Sequence, residues 1–178
     1  MQITWYPGIS LAAYARNRYC ANFPLITKCP ICGAEIKLYR HGFYSRNVVT
    51  RRREYRVDIC RYLCRSCRGT VSLLPAFLLP YFQQTRMSIL QSLKSSFSRG
   101  LLSPYRQLAV FYRQRLLRNL PAIINALREK RLLYHISDDE KERAIKVIGR
   151  LANTPPRAMT SKGHYANRIL YNFMANSL

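Results

Sequence analysis

At 178 residues, 48% apolar and 12% aromatic, the chain has room for one domain or two small ones and enough apolar matter for a core, which excludes a disordered basic tail. Its 30 Lys and Arg against 8 Asp and Glu leave a formal charge of +22, a field that attracts polyanions, nucleic acid first and an anionic membrane second. A bilayer span is not expected, because the longest apolar run, Val71 to Phe82, falls short of the ~18 residues required and is broken by Pro75 and Pro80.

The chain opens Met1-Gln2-Ile3-Thr4-Trp5-Tyr6-Pro7, without the charged start and apolar stretch of a secretory signal. The expected compartment is the cytoplasm, where cysteines meet metals and disulfides are rare. Residues 1–27 read as an aromatic lead-in packed on the core. Its one cysteine, Cys20, is expected to be a buried small hydrophobe.

Residues 28–70 carry the strongest signal. Cys29-Pro30-Ile31-Cys32 and Cys64-Arg65-Ser66-Cys67 are two Cys-x-x-Cys pairs flanking a strand-like, arginine-rich stretch. Each pair folds into a tight knuckle, and two knuckles close a tetrahedron around one structural Zn²⁺. The expected fold is a small four-cysteine zinc ribbon, a β-hairpin with two knuckles, in which Ile36, Leu38, Val57, Ile59 and Leu63 alternate with polar positions and Arg51-Arg52-Arg53 marks the joining loop. Eleven Lys and Arg stand here against Glu35, Glu54 and Asp58. A module this small cannot bury enough surface to fold alone, so the metal should supply its stability. Cys60 shares a strand face with Tyr62 and Cys64 and is a secondary ligand candidate; His41, beside Gly42, is either a turn residue or a phosphate contact before it is a ligand.

Residues 71–82 read as a stiff apolar connector, since two prolines in six residues favour extended chain. Residues 83–178 read as a basic all-α domain of about five helices, which makes the class α+β. Thr85 to Ser98 places Met87, Ile89, Leu90, Leu93 and Phe97 at helical spacing before Arg99-Gly100 stops it. Ser103-Pro104 opens a second helix, with Leu108, Ala109, Tyr112, Leu116 and Leu120 on one side, Arg106, Gln107, Gln114 and Arg118 opposite, and Arg113 and Arg115 at the borders. Pro121 ends or kinks it and begins another. Ser137-Asp138-Asp139-Glu140 has capping-box spacing, and a last helix is expected around Tyr165 to Met174.

A helix, a glycine turn and a second helix with Arg and Gln on its open face is the composition of a helix-turn-helix over 85–118, against the plainer alternative of a bundle with a solvated basic face. Catalysis is not expected. Four of the eight acids crowd the helix start at Asp138 to Glu142, three lie in the cysteine module, and no spaced set remains for two-metal chemistry. No phosphate-cradling glycine loop or hydrolytic His motif is present, and four cysteine ligands leave zinc no open position.

Cys29-Pro30-Ile31-Cys32-Gly33, His41 to Arg46, Ile59 to Cys67, Thr70, Leu74-Pro75 and Phe111 to Arg115 together resemble small bacterial zinc-ribbon proteins of unassigned function, related to the N-terminal zinc-ribbon and helix-turn-helix region of insertion-sequence transposases. The resemblance spans roughly residues 29–120 and implies DNA recognition; a transposase catalytic domain has no counterpart here, so that activity does not carry over. The expectation is a cytoplasmic, zinc-dependent, duplex-DNA-binding protein, partnered with itself as a homodimer or with a separate transposase or recombinase chain. Arg51, Arg52, Arg53, Arg65 and Arg68 are the expected phosphate contacts, and Arg106, Gln107, Arg113, Gln114 and Arg118 the expected base contacts. The alternatives are an RNA-binding module that stacks bases on Phe43 and Tyr44, and an interaction subunit docked on an acidic partner.

Overall fold

A computed structural model describes residues 1–17, 23–99, 106–129 and 131–153. The chain divides into two units, Met1–Thr85 and the residues from Arg86 onward. The first mixes strands with one short helix; the second is helical over its described residues.

Four strands form the first unit: β1 (Gln2–Trp5), β2 (Tyr39–Val49), β3 (Glu54–Leu63) and β4 (Thr70–Pro75), in the order β1-β4-β3-β2. The β2–β3 pair is a long antiparallel hairpin. Thr50 shapes its turn, because its Oγ1 accepts the N–H groups of Arg52 and Arg53 at 3.3 and 3.1 Å and donates to the Arg53 carbonyl. β4 runs antiparallel to β3 only from Cys60 to Leu63, and β1 runs parallel to β4. Between β1 and β2 lies α1 (Leu11–Arg16), capped by Ser10, whose Oγ accepts the Ala13 N–H.

The lead-in, ribbon and connector drawn at 27, 70 and 82 are therefore parts of one unit. The first half of the connector is a strand, because a proline interrupts the ladder only where its own N–H is needed, and Pro75 stands at the strand's last position. Ile36 and Leu38, expected in a strand, precede β2, although Leu38 is buried.

In β3 the expected alternation fails, since Val57, Asp58, Ile59 and Cys60 are all buried. Both faces of the strand are covered. On one, Tyr14 of α1 donates to the Asp58 carbonyl at 2.9 Å and packs edge-on against Trp5 and Phe77; its burial pushes the Tyr14 hydroxyl well above the ordinary range. Beyond the other face, the stretch Leu78 to Thr85 runs beside β2, joined by the Val49 N–H to Gln83 carbonyl bond. Arg46 secures that stretch by donating to the carbonyls of Leu79 and Phe82.

The second unit contains α2 (Arg86–Ser98), α3 (Arg106–Glu129) and α4 (Glu140–Asn153), packed on one another. Their buried stripes are Ile89, Leu90, Leu93 and Phe97; Ala109, Tyr112, Leu116, Leu120, Ile123 and Leu127; and Ala144, Val147, Ile148 and Leu151. The buried Arg86 donates to the Leu151 carbonyl, a cation at the negative end of α4.

Two expectations need correction. Pro121 neither ends α3 nor starts a new helix: it lies on the exposed side, while Leu116, Leu120, Ile123 and Leu127 carry the buried stripe past it. That burial outweighs the single backbone bond a proline removes, each side chain contributing about 1.5–3 kcal/mol. The cap of α4 also sits two residues later than expected. Asp139 Oδ2 accepts the Glu142 N–H at 2.7 Å, and Ser137 Oγ donates to the Glu142 carboxylate at 2.8 Å. The helix is thus capped by Asp139, whose carboxylate reaches the third N–H, while the Ser137 hydroxyl is engaged by the Glu142 carboxylate and the Asp139 N–H. The opening at Ser103-Pro104, the expected helix at Tyr165 to Met174 and Cys20 lie outside the described residues.

A candidate metal centre and its basic surroundings

Both Cys-x-x-Cys pairs fold as tight turns. In the first, the Gly33 N–H donates to the Cys29 carbonyl at 2.9 Å, the Cys29 N–H donates to the Ala34 carbonyl, and the Ile31 N–H points at the Cys29 sulfur at 3.4 Å. In the second, the Cys64 N–H donates to the Gly69 carbonyl at 3.0 Å. Four residues after its first cysteine, each turn needs a left-handed backbone. Gly33 supplies it at φ +76°, and Arg68 adopts it at φ +55°, a conformation that costs a side-chain-bearing residue on the order of 1–3 kcal/mol.

These turns bring the sulfurs of Cys29, Cys32, Cys64 and Cys67 within 4.8 Å of one another. The Cys29–Cys67 and Cys32–Cys64 separations are 3.9 and 3.8 Å. No disulfide joins these pairs, since an S–S bond is ~2.05 Å. Four sulfurs ~2.3 Å from one tetrahedral ion stand about 3.8 Å apart, so the cluster fits a single metal ion. Cys29 and Cys64 are buried while Cys32 and Cys67 face solvent. Gly69 permits the approach of the two turns: a Cβ there would lie 2.6 Å from Ile31 Cδ1 and 3.1 Å from the Cys67 sulfur.

Crowding divides the thiols electrostatically. The Cys67 backbone N–H holds the Cys64 thiol down to about 7, against a smaller opposing effect of burial. Cys67 receives the Gly69 backbone N–H, which lowers it, yet burial and the neighbouring thiols push it up to about 12. Four adjacent thiolates need a cation to share, which is the condition a metal satisfies.

Cys60 and His41 do not join this group. Cys60 is fully buried in the sheet, its sulfur 4.0 Å from the Arg61 carbonyl, and burial raises its thiol pKa. His41 is exposed and marks a bulge where the register shifts between Arg40 and Gly42. It stands inside β2 and not in a turn, and Gly42, at φ +114°, supplies the backbone that the bulge needs.

The arginines named from the sequence fall into several settings. Arg51, Arg52 and Arg53 are exposed at the hairpin turn. Arg65 and Arg68 are exposed on the second knuckle, and the Arg65 guanidinium lies 3.8 Å from the Tyr39 ring centroid. In α3, Arg106, Gln107, Gln114 and Arg118 are exposed, whereas Arg113 is half-buried over the Phe97 ring at 4.7 Å. Phe43 is half-buried against Phe23, with ring centroids 5.6 Å apart, and Tyr44 is half-buried in the same core, so neither ring stands free for a base. Sequence reasoning missed three contributors. Gly69 had a signal, a glycine two residues past the last cysteine. Tyr39 as a platform for Arg65, and Arg46 as an interior clamp, had none, because both roles depend on distant chain.

In the second unit a cavity of about 360 Å³ lies between α3 and the start of α4, with Leu117, Leu120, Pro121 and Ile124 among its apolar walls and Asp138 and Glu140 at its rim. Among the described residues, no helix is long and apolar enough to cross a membrane.

Residues 29–107 match the family model of a domain of unknown function, DUF6431, which covers less than half of the chain. No curated protein and no solved structure matches. The family match begins at the first metal-site cysteine and takes in all four, together with the hairpin, β4, α2 and the first residues of α3.

Proposed function

We propose that this is a zinc-dependent DNA-binding protein of mobile-element origin, without catalysis of its own. Zinc is the ion that four thiolates at tetrahedral spacing favour, and four protein ligands leave no position for a reactive water. The metal then holds up the arginine-bearing hairpin and knuckle. The observation that carries the reading is the exposure of Arg51, Arg52, Arg53, Arg65 and Arg68 on the unit that contains the four-cysteine cluster. Even if all 8 acids were paired, 22 of the 30 Lys and Arg would still seek anions outside the chain.

In this reading those five arginines meet phosphates. Arg106, Gln107, Gln114 and Arg118 of α3 reach base edges as the second helix of a helix-turn-helix, and Arg113, engaged with Phe97, contributes less. Duplex DNA is the favoured partner, bound as a homodimer or beside a separate recombinase chain. Binding measured against salt tests it. Each phosphate neutralised adds about −0.9 to the slope of log K against log salt, so a slope of several units is expected and a slope near zero sinks the proposal.

A further inference from the structure

The geometry points to a second base-reading element, resting on the DNA-binding reading above: the outer half of the β2–β3 hairpin enters the major groove and reads it with Asn47 and Arg56. β4 stops pairing with β3 at Cys60, so from Glu54 to Ile59 the β3 edge carries no strand among the described residues, while the β2 edge is flanked at Val49 by a bridge to Gln84. The face of this β2–β3 pair, and not its β2 edge, is what a groove ~12 Å wide could receive. One face lies toward Leu79 and Phe82, whose carbonyls Arg46 reaches. The opposite side carries Ser45, Asn47 and Val49 of β2 across from Asp58, Arg56 and Glu54 of β3.

Along that side burial gives way to exposure toward the turn. Asp58 is buried and accepts the Ser45 hydroxyl at 2.7 Å, whereas Asn47 and Arg56, directly opposite each other one pair further out, are both exposed. Asparagine is a poor strand former, and an exposed one adds little to the hairpin. Its amide offers a phosphate no charge, but it matches the N6 and N7 of adenine with two hydrogen bonds; a guanidinium in the opposite strand matches the O6 and N7 of guanine. Glu54, exposed on the same side one pair nearer the turn, repels phosphates and accepts from cytosine N4, which turns this side toward bases and away from the backbone. The turn arginines Arg51, Arg52 and Arg53 then reach the phosphates bounding the groove.

The test is selection of bound duplexes from a random library with the full zinc-loaded chain, its Asn47→Ala and Arg56→Ala variants, and an Arg51→Ala/Arg52→Ala/Arg53→Ala variant, each checked for one metal per chain. Asn47→Ala and Arg56→Ala are expected each to erase the preference at one or two positions, weakening the preferred site about fivefold or more. Weak, non-specific binding is kept by Asn47→Ala. The triple variant is expected to weaken all sequences alike and to reduce the salt slope by about 2.7. An unchanged motif in both single variants, or no motif for the parent chain, overturns the inference while leaving charge-driven DNA binding in place. Failure of the parent chain to bind any duplex overturns the reading beneath it.

Discussion

The two units are held together by different means. In the first, a four-stranded sheet with one short helix brings four thiols to one point; in the second, three helices bury continuous apolar stripes with no comparable cluster of ligands among the described residues. Both bury apolar area, the first around Trp5, Tyr14, Ile59 and Leu73; in the reading proposed above, only the first adds a bound ion to it. Basicity is common to both, so charge by itself does not distinguish them; the source of their rigidity does.

Chelation at neutral pH, or Cys29→Ser with Cys64→Ser, breaks the comparison most sharply. Loss of a structural zinc site removes on the order of 10 kcal/mol or more, so the strand signal in circular dichroism and tertiary contacts around Trp5 are expected to collapse while helical signal from α2 to α4 persists. Concurrent loss of both signals would show that the units do not stand independently. Acid acts in the same direction, since protons compete with the metal for thiolates: metal is held at neutral pH, where the ion displaces the thiol protons, and is released as pH falls well into the acid range.

Next in size is the converse change. Leu116 is fully buried in α3, and Leu116→Ala is expected to cost about 2–5 kcal/mol by cavity formation, lowering the helical transition in a thermal melt with zinc content unchanged. Gly69→Ala tests the closeness of the knuckles at smaller cost, about 1–2 kcal/mol, because the Ile31 side chain it strikes is partly exposed and can give way. Zinc affinity by competition with a chelating dye should fall, and Ile31→Val, which removes the colliding Cδ1, should restore part of it. Asp139→Ala removes the α4 cap for about 1 kcal/mol, read as a lower helical midpoint. The finest contrast is Arg68→Gly, which relieves a left-handed backbone while deleting a charge. Stability should hold or rise by up to about 1 kcal/mol, whereas the salt slope of DNA binding should drop by about 0.9. A fall in zinc affinity instead would make Arg68 part of the clamp.

Legibility followed the distance over which each feature is encoded. The two knuckles were readable because Cys-x-x-Cys and the following Gly33 are local. The helices were readable because the stripes through Leu93, Leu116 and Ile148 repeat every three or four residues. The β2–β3 turn was readable because Thr50 to Arg53 is a polar, arginine-rich run between two strand-forming segments. Pro121 misled because its local cost is visible in sequence, and the buried neighbours that outweigh it are visible only in the packed helix. The capping shift is of the same kind, for Ser137 and Asp139 both carry suitable oxygens and only the folded geometry selects between them.

By itself, then, the sequence determined the four clustered cysteines, the basic character and the helical faces, all of them properties of short windows and totals. Tertiary structure alone decided that residues at opposite ends of the first unit share a sheet, with Gln2 opposite Ser72 and Trp5 opposite Pro75. It also decided that Arg46 and Arg86 turn inward to bind carbonyls while Asn47 and Arg56 stand outward. Strand pairing and the burial of a charge depend on partners tens of residues away, and no local pattern records which partner will arrive.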